Sequence, residues 1–206
     1  MYALVEDNSI TKIFPGPKGF EHNGNQYSPD IFFKWSKAEK EAIGLYEVTT
    51  DSTNYKDEQW YINTNESFAF ADGKVTRSWG TATPKKHTDT LWTEEDKTDG
   101  NIPEGKDVGD VAVEGLKTQL IRTIKQQAAG ILQDTDWYII RKADAGTAVP
   151  SSITTHRAAV RTKCAEMETS ITNASDTPAL ETLYTYTKQE DGSITRPLGE
   201  LPMLEA

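Results

Sequence analysis

The feature that most constrains this chain is a change of hydrophobic period part-way along it. Up to about residue 83 the apolar residues come in short segments separated by turn pairs; beyond residue 115 they recur every three or four positions. Short apolar segments with tight turns specify strands, and the three-to-four spacing specifies one face of a helix. One chain therefore holds two kinds of packing. Tyr2–Val5 and Ile10–Phe14 flank the polar Glu6-Asp7-Asn8-Ser9, which predicts a hairpin. The prolines and glycines of Phe14-Pro15-Gly16-Pro17-Lys18-Gly19 then interrupt the ladder. Asn23-Gly24 and Asp72-Gly73 are pairs that accept positive φ, so two further hairpins are expected there. Between them Ser36 and Glu39 have capping-box spacing, placing a short helix over about Lys37–Ile43 that stops at Gly44.

From Thr83 to Glu114 the chain is polar and acidic, broken by Pro84, Gly100, Pro103, Gly105 and Gly109, and it reads as a linker. Leu116, Leu120, Ile124, Ala128 and Ile131 then mark one helix, and Ile153, Val160, Cys164, Met167 and Ile171 a second, antiparallel to it. Ser151 and Ser152 are the candidate caps of the second helix. Between the helices, Asp134-Thr135-Asp136 caps a short turn in which Trp137 plugs the core. Thr177 as cap, with Pro178 at the first helical position, opens a last helix that ends near Tyr184. The fold class read here is α+β: a β-rich module with a short helix (1–83), an acidic linker (84–113), an antiparallel α-helical hairpin (114–186) and an extended tail (187–206).

Chemistry-bearing patterns are missing from the sequence. A net charge of -10 disfavours contact with nucleic-acid phosphates. No apolar run approaches the ~18 residues of a membrane span, and the opening Met1–Ile10 does not read as an export signal. Cys164 is the only cysteine and falls on the apolar helix stripe, where a buried thiol acts as a small hydrophobe. His22, His87 and His156 have no second ligand at metal-site spacing, and His156 borders the buried face. Neither Ser151 nor Ser152 sits in a nucleophile elbow, and Gly100–Gly105 lacks the Gly-Lys-Ser/Thr of a phosphate loop. No catalytic, cofactor-binding or metal-binding residue is assigned. The aromatic residues suit an interface better: Trp60, Trp79 and Trp137 are assigned to the modules, while Trp92, stranded in the linker, is assigned to a partner. In the tail, Ile194, Leu198, Leu201 and Leu204 are spaced apolar residues that can lie along a partner or fold back on the helices.

One stretch carries a resemblance. Ala128-Ala129-Gly130-Ile131-Leu132-Gln133-Asp134-Thr135-Asp136-Trp137-Tyr138, followed after a polar loop by Thr155-His156-Arg157-Ala158-Ala159-Val160-Arg161, resembles the C-terminal region of bacteriophage tail-fibre assembly proteins. Their pattern is a helix ending Leu-x-x-Thr-Asp-Trp, then Tyr-Arg-x-x-x-Arg opening the next helix; His156 stands here where tyrosine is usual. The segments Met1–Val5, Phe33–Ser36 and Ala42–Val48 look like the leaders of other phage proteins. The resemblance implies no catalytic residues. It implies a protein made in the host cytoplasm that works at the virion tail with fibre or baseplate proteins, and a homo-oligomer within the assembly is compatible with it. Two roles fit, a retained structural subunit and a transient assembly chaperone. A hydrolase acting on surface polysaccharide is the third reading, with no carboxylate pair singled out for it.

Overall fold

The computed structural model describes residues 1–204. The chain is mixed α+β, with strands concentrated in its N-terminal half and helices in its C-terminal half, and it divides into two compact units, Met1–Thr83 and Pro84–Ala206.

In the first unit β1 (Tyr2–Glu6) pairs with β2 (Ser9–Phe14), and β3 (Phe20–His22) with β4 (Asn25–Tyr27), all antiparallel. Two short helices follow, α1 (Ile31–Lys34) and α2 (Lys37–Ala42). Then come β5 (Leu45–Thr50), β6 (Tyr61–Ile62), β7 (Ser67–Ala71) and β8 (Lys74–Ser78). The tight turns are those the sequence calls for: Asp7 and Asn8, Asn23 and Gly24, and Asp72 and Gly73 all have positive φ, as a type I′ turn requires at both central residues. The main sheet has the order β2-β1-β5-β8-β7, with β5 and β8 parallel, Val48 opposite Val75.

That sheet is buried on both faces, which is why Ala3, Leu4 and Val5 are all buried rather than alternating with exposed residues. Leu4 joins Phe14, Phe20, Ile31, Phe32 and Leu45 on one side; Ala3 and Val5 join Val75 on the other. The helix α1 supplies Ile31 and Phe32 to the first of these cores. The α2 capping box forms as its sequence dictates: Ser36 Oγ accepts the Glu39 amide at 3.3 Å and the Glu39 carboxylate accepts the Ser36 amide at 2.7 Å. Those Ser36 bonds hold the Glu39 carboxyl below the usual carboxylate range. Gly44 follows at φ +79, and a Cβ there would lie 2.5 Å from the Val5 carbonyl oxygen, so both conformation and space demand glycine.

At the start of the second unit, the two-residue strand β9 (Thr83–Pro84) straddles the boundary. Residues 84–113 are more than the structureless connection expected. They hold β10 (Thr90–Leu91) paired with β11 (Val111–Val113), and between them α3 (Glu94–Thr98) behind a Thr93–Asp96 capping box. The Asp89 carboxylate accepts hydrogen bonds from Gly115 N at 2.7 Å and Thr118 Oγ1 at 2.9 Å, fastening this segment to the next helix. Local hydrogen bonding thus supplies order where apolar residues are too few for a core.

Four helices follow: α4 (Leu116–Gln133), α5 (Asp136–Ala145), α6 (Ser151–Asn173) and α7 (Thr177–Tyr184). Leu116, Ile124 and Ala128 of α4 are buried, as are Ile153, Val160, Cys164, Met167 and Ile171 of α6. The two helices run in opposite directions, since Lys117 near the start of α4 reaches Thr172 O near the end of α6, and Arg157 near the start of α6 reaches Leu132 O near the end of α4. Three local expectations are corrected. Ser151 and Ser152 lie inside α6 without capping it, because Pro150 occupies the N-cap. The α7 cap is Asp176, whose carboxylate accepts the Ala179 amide at 2.8 Å; Thr177 is instead the first helical residue and donates to Lys85 O at 2.6 Å. The tail is not simply extended: β12 (Thr187–Lys188) and β13 (Ile194–Thr195) pair, and Leu198 N donates to Leu183 O at 3.0 Å.

Candidate interaction surface

The surface is built around the break between α4 and α5. The last carbonyls of a helix have no partner within it and must find donors elsewhere. Leu132 O takes the Thr135 amide at 3.1 Å and, as a further donor, Arg157, brought from the start of α6. Its Nη1 donates to Leu132 O at 2.7 Å and to Thr135 Oγ1 at 2.6 Å, and its Nη2 pairs with Asp136 Oδ1 at 2.8 Å. Thr135 Oγ1 in turn donates to Leu132 O at 3.0 Å. Arg157 and Thr135 are buried at 7% and 2% exposure, whereas the Asp136 side chain is half exposed. The planar fork of arginine suits this task, because it serves a carbonyl, a hydroxyl and a carboxylate at once and places positive charge at a helix C-terminus.

This network gives the Thr135-Asp136-Trp137 and Arg157 pattern a physical meaning. Thr135 and Asp136 fasten the elbow between α4 and α5, and Arg157 is the pin. The helix α5, once started, buries none of its residues, and Gly146 ends it in the left-handed conformation with its N–H bonded to Lys142 O. Trp137 is 50% exposed, Ile139 43% and Ile140 66%. The expectation that Trp137 plugs the core is therefore overturned. Its ring lies 3.8 Å from that of Tyr138, and the Arg141 guanidinium sits over both rings at 4.7 and 5.4 Å. A ten-residue helix is marginal on its own in water, and this one presents aromatic and branched aliphatic side chains to solvent.

The five residues read as partner-facing from sequence do not form one surface. Trp92 is half-buried and bonded through its backbone to Asp110 O and Gly109 N within its own loop. Leu198 is buried at 2% exposure, so of the two placements the sequence left open it takes the folded-back one, packs within its own unit and leaves the partner-facing set. Ile194 and Leu204 are exposed at 66% and 44%; Leu201 is half-buried and lines an open cleft of about 650 Å³ with Tyr186, Arg196 and Glu200. In that cleft Glu200 accepts from Tyr186 Oη at 2.6 Å and from Arg196 Nη2 at 2.8 Å, which ties the β12–β13 end of the chain together. Ile139 and Ile140 belong to the turn expected to close the end of the hairpin, and both are exposed instead. The signal was available: successive helix residues point about 100° apart, so four large residues in a row, Trp137-Tyr138-Ile139-Ile140, cannot all face one core.

No protein-family model, no curated protein and no solved structure matches the chain.

Elsewhere His22 and Cys164 have local partners. His22 is buried, with Nδ1 3.0 Å from Glu6 Oε1 and Nε2 3.1 Å from the Asn23 amide nitrogen. Burial raises the Cys164 thiol above its ordinary range, with a contribution from Glu168, to which Sγ donates at 3.6 Å; a nucleophile would need the opposite shift. Among the described residues no group of three or more His, Cys, Asp or Glu is placed to hold a metal ion, and no helix is long and apolar enough to cross a membrane.

Proposed function

We propose that this chain is a non-catalytic structural protein of the phage tail, bound to the fibre or baseplate of the virion. The observation that supports it is α5: a helix with no buried residue that exposes Trp137, Ile139 and Ile140 and is held at its root by a buried arginine. A fixed, solvent-facing aromatic and aliphatic surface is what an assembly contact uses, since such side chains supply most of the binding energy of an interface. The Thr135-Asp136-Trp137 and Arg157 pattern, by which the chain resembles tail-fibre assembly proteins, coincides with the residues that position this surface. In this reading α4 and α6 are the arms of a helical hairpin that carries α5 at its end, and residues 84–113 link that module to the β-rich one.

The second role implied by the resemblance, a transient assembly chaperone, uses the same surface but leaves before the virion matures. The test is co-purification from infected cells. Ile140→Asp, at a position 66% exposed, should leave the melting temperature unchanged and remove the chain from tail-fibre and baseplate complexes. Undiminished co-purification of the variant would reject α5 as the assembly contact.

A further inference from the structure

Building on the assembly reading, we infer that the α5 surface is covered by α5 of a second copy of this chain, with the two helices parallel about a rotation axis. At about 100° per residue, Ile139, Ile140 and Ala143 share the outward face of α5, on which all three are exposed. Trp137 and Asp144 lie along one flank of that face and Lys142 along the other. Tyr138 and Arg141 fall on the opposite side and are half-buried. The apolar face therefore has unlike borders, an aromatic ring with a carboxylate on one side and an ammonium on the other.

Those borders select the orientation. When two identical helices pack parallel about a common axis, the left border of one meets the right border of the next. Lys142 then comes against Asp144 of the neighbour, where it has a carboxylate for an ion pair. Antiparallel packing would bring like border against like, setting Lys142 against Lys142, a repulsion with no nearby acid on that flank. The apolar strip is thus complementary to itself in one sense of packing only. Asp136 falls on the same face at the root of the helix, and its half-exposed carboxylate is paired with Arg157, which offsets the repulsion between the two copies there. Two chains of net charge -10 repel each other, and the border contact supplies local attraction where they would meet.

One ten-residue helix from each copy makes an interface smaller than the usual ~800 Å² per partner, so the association should be weak alone and strengthened inside an assembly that holds several copies together. The same parallel border contact serves two copies or a closed ring.

Sedimentation equilibrium of the intact purified chain, from about 10 to 500 µM and at two salt concentrations, reads this directly. The weight-average mass should rise with concentration, less steeply at high salt. Lys142→Glu should weaken association at least tenfold, and adding Asp144→Lys to it should restore most of that loss, a recovery that a merely helix-destabilising change would not give. Circular dichroism of each variant checks that the helices persist. A native chain that stays monomeric to 500 µM overturns the inference, as does equal association of native and Lys142→Glu, or failure of the charge exchange to restore it. Incorporation into tail complexes, measured on Ile140→Asp, separates the two levels. A monomeric native chain whose Ile140→Asp variant is lost from tails rejects the second copy and leaves the assembly reading standing.

Discussion

Replacing Arg157 by alanine removes the pin of the α4–α5 elbow, and the structure sets the size of the effect. Two charge-assisted hydrogen bonds are lost, to Leu132 O and Thr135 Oγ1, each contributing about 1.5–3 kcal/mol before the cost of burying the guanidinium is subtracted. The ion pair to Asp136 adds less than about 1 kcal/mol, because that carboxylate is half exposed and water replaces its partner. Leu132 O keeps the Thr135 hydroxyl as a donor, which limits the damage. After desolvation is offset, the net loss should be about 3 kcal/mol, lowering the melting temperature of the helical unit by roughly 10 °C. Arg157→Lys should recover little of this, since an ammonium cannot serve three acceptors in the arginine geometry. Asp136→Asn, by contrast, should cost under about 1 kcal/mol. Scanning calorimetry of the full chain gives the energies, and tryptophan emission follows the α5 region. An Arg157→Ala chain within about 1 kcal/mol of the native would refute the account of the elbow.

Burial pushes Tyr184 up to about 12 from an ordinary value of 10.0, while Arg196 works in the opposite direction. The folded pKa is the higher one, so the stabilisation is fully present below pH ~10 and is lost as pH rises towards ~12; Tyr184→Phe should flatten the alkaline limb of a stability–pH curve, and an unchanged limb would contradict it. His156 is buried, and its Nε2 has no hydrogen-bond partner among the described residues, so His156→Phe should leave stability the same or raise it by up to about 1 kcal/mol in chemical denaturation. A loss larger than that would mean that the nitrogen is satisfied in solution.

Much of the fold was legible because local signals acted alone. Asn23-Gly24 and Asp72-Gly73 fix their turns through their own backbone preferences, and Ser36 with Glu39 forms its cap without distant help. The α4 and α6 stripes were legible for a related reason, since a long periodic pattern has few alternatives. The parallel pairing of β5 with β8 was not, because it depends on which strands meet after the intervening β6 and β7 are laid down. The short strands β10 and β11 were hidden in a polar segment whose order rests on Asp89 and the Thr93 cap. At the candidate surface hydrophobicity alone did not decide which side chains are buried. Trp137 was placed inside by its hydrophobicity, yet the turn given to it is a helix that buries none of its residues, and the ring is half exposed against Tyr138 and Arg141. Leu198 was left open between a partner and its own helices, because its polar neighbours give no period; the Leu183 carbonyl draws its backbone onto the end of α7.

The central claim is that this chain is a structural component of the assembled tail, and the composition of purified virions tests it most directly. Quantitative mass spectrometry of gradient-purified particles should find the chain at a fixed ratio to the fibre or baseplate proteins, unchanged after a high-salt wash. Abundance in the infected-cell lysate together with absence from the particles would contradict that claim.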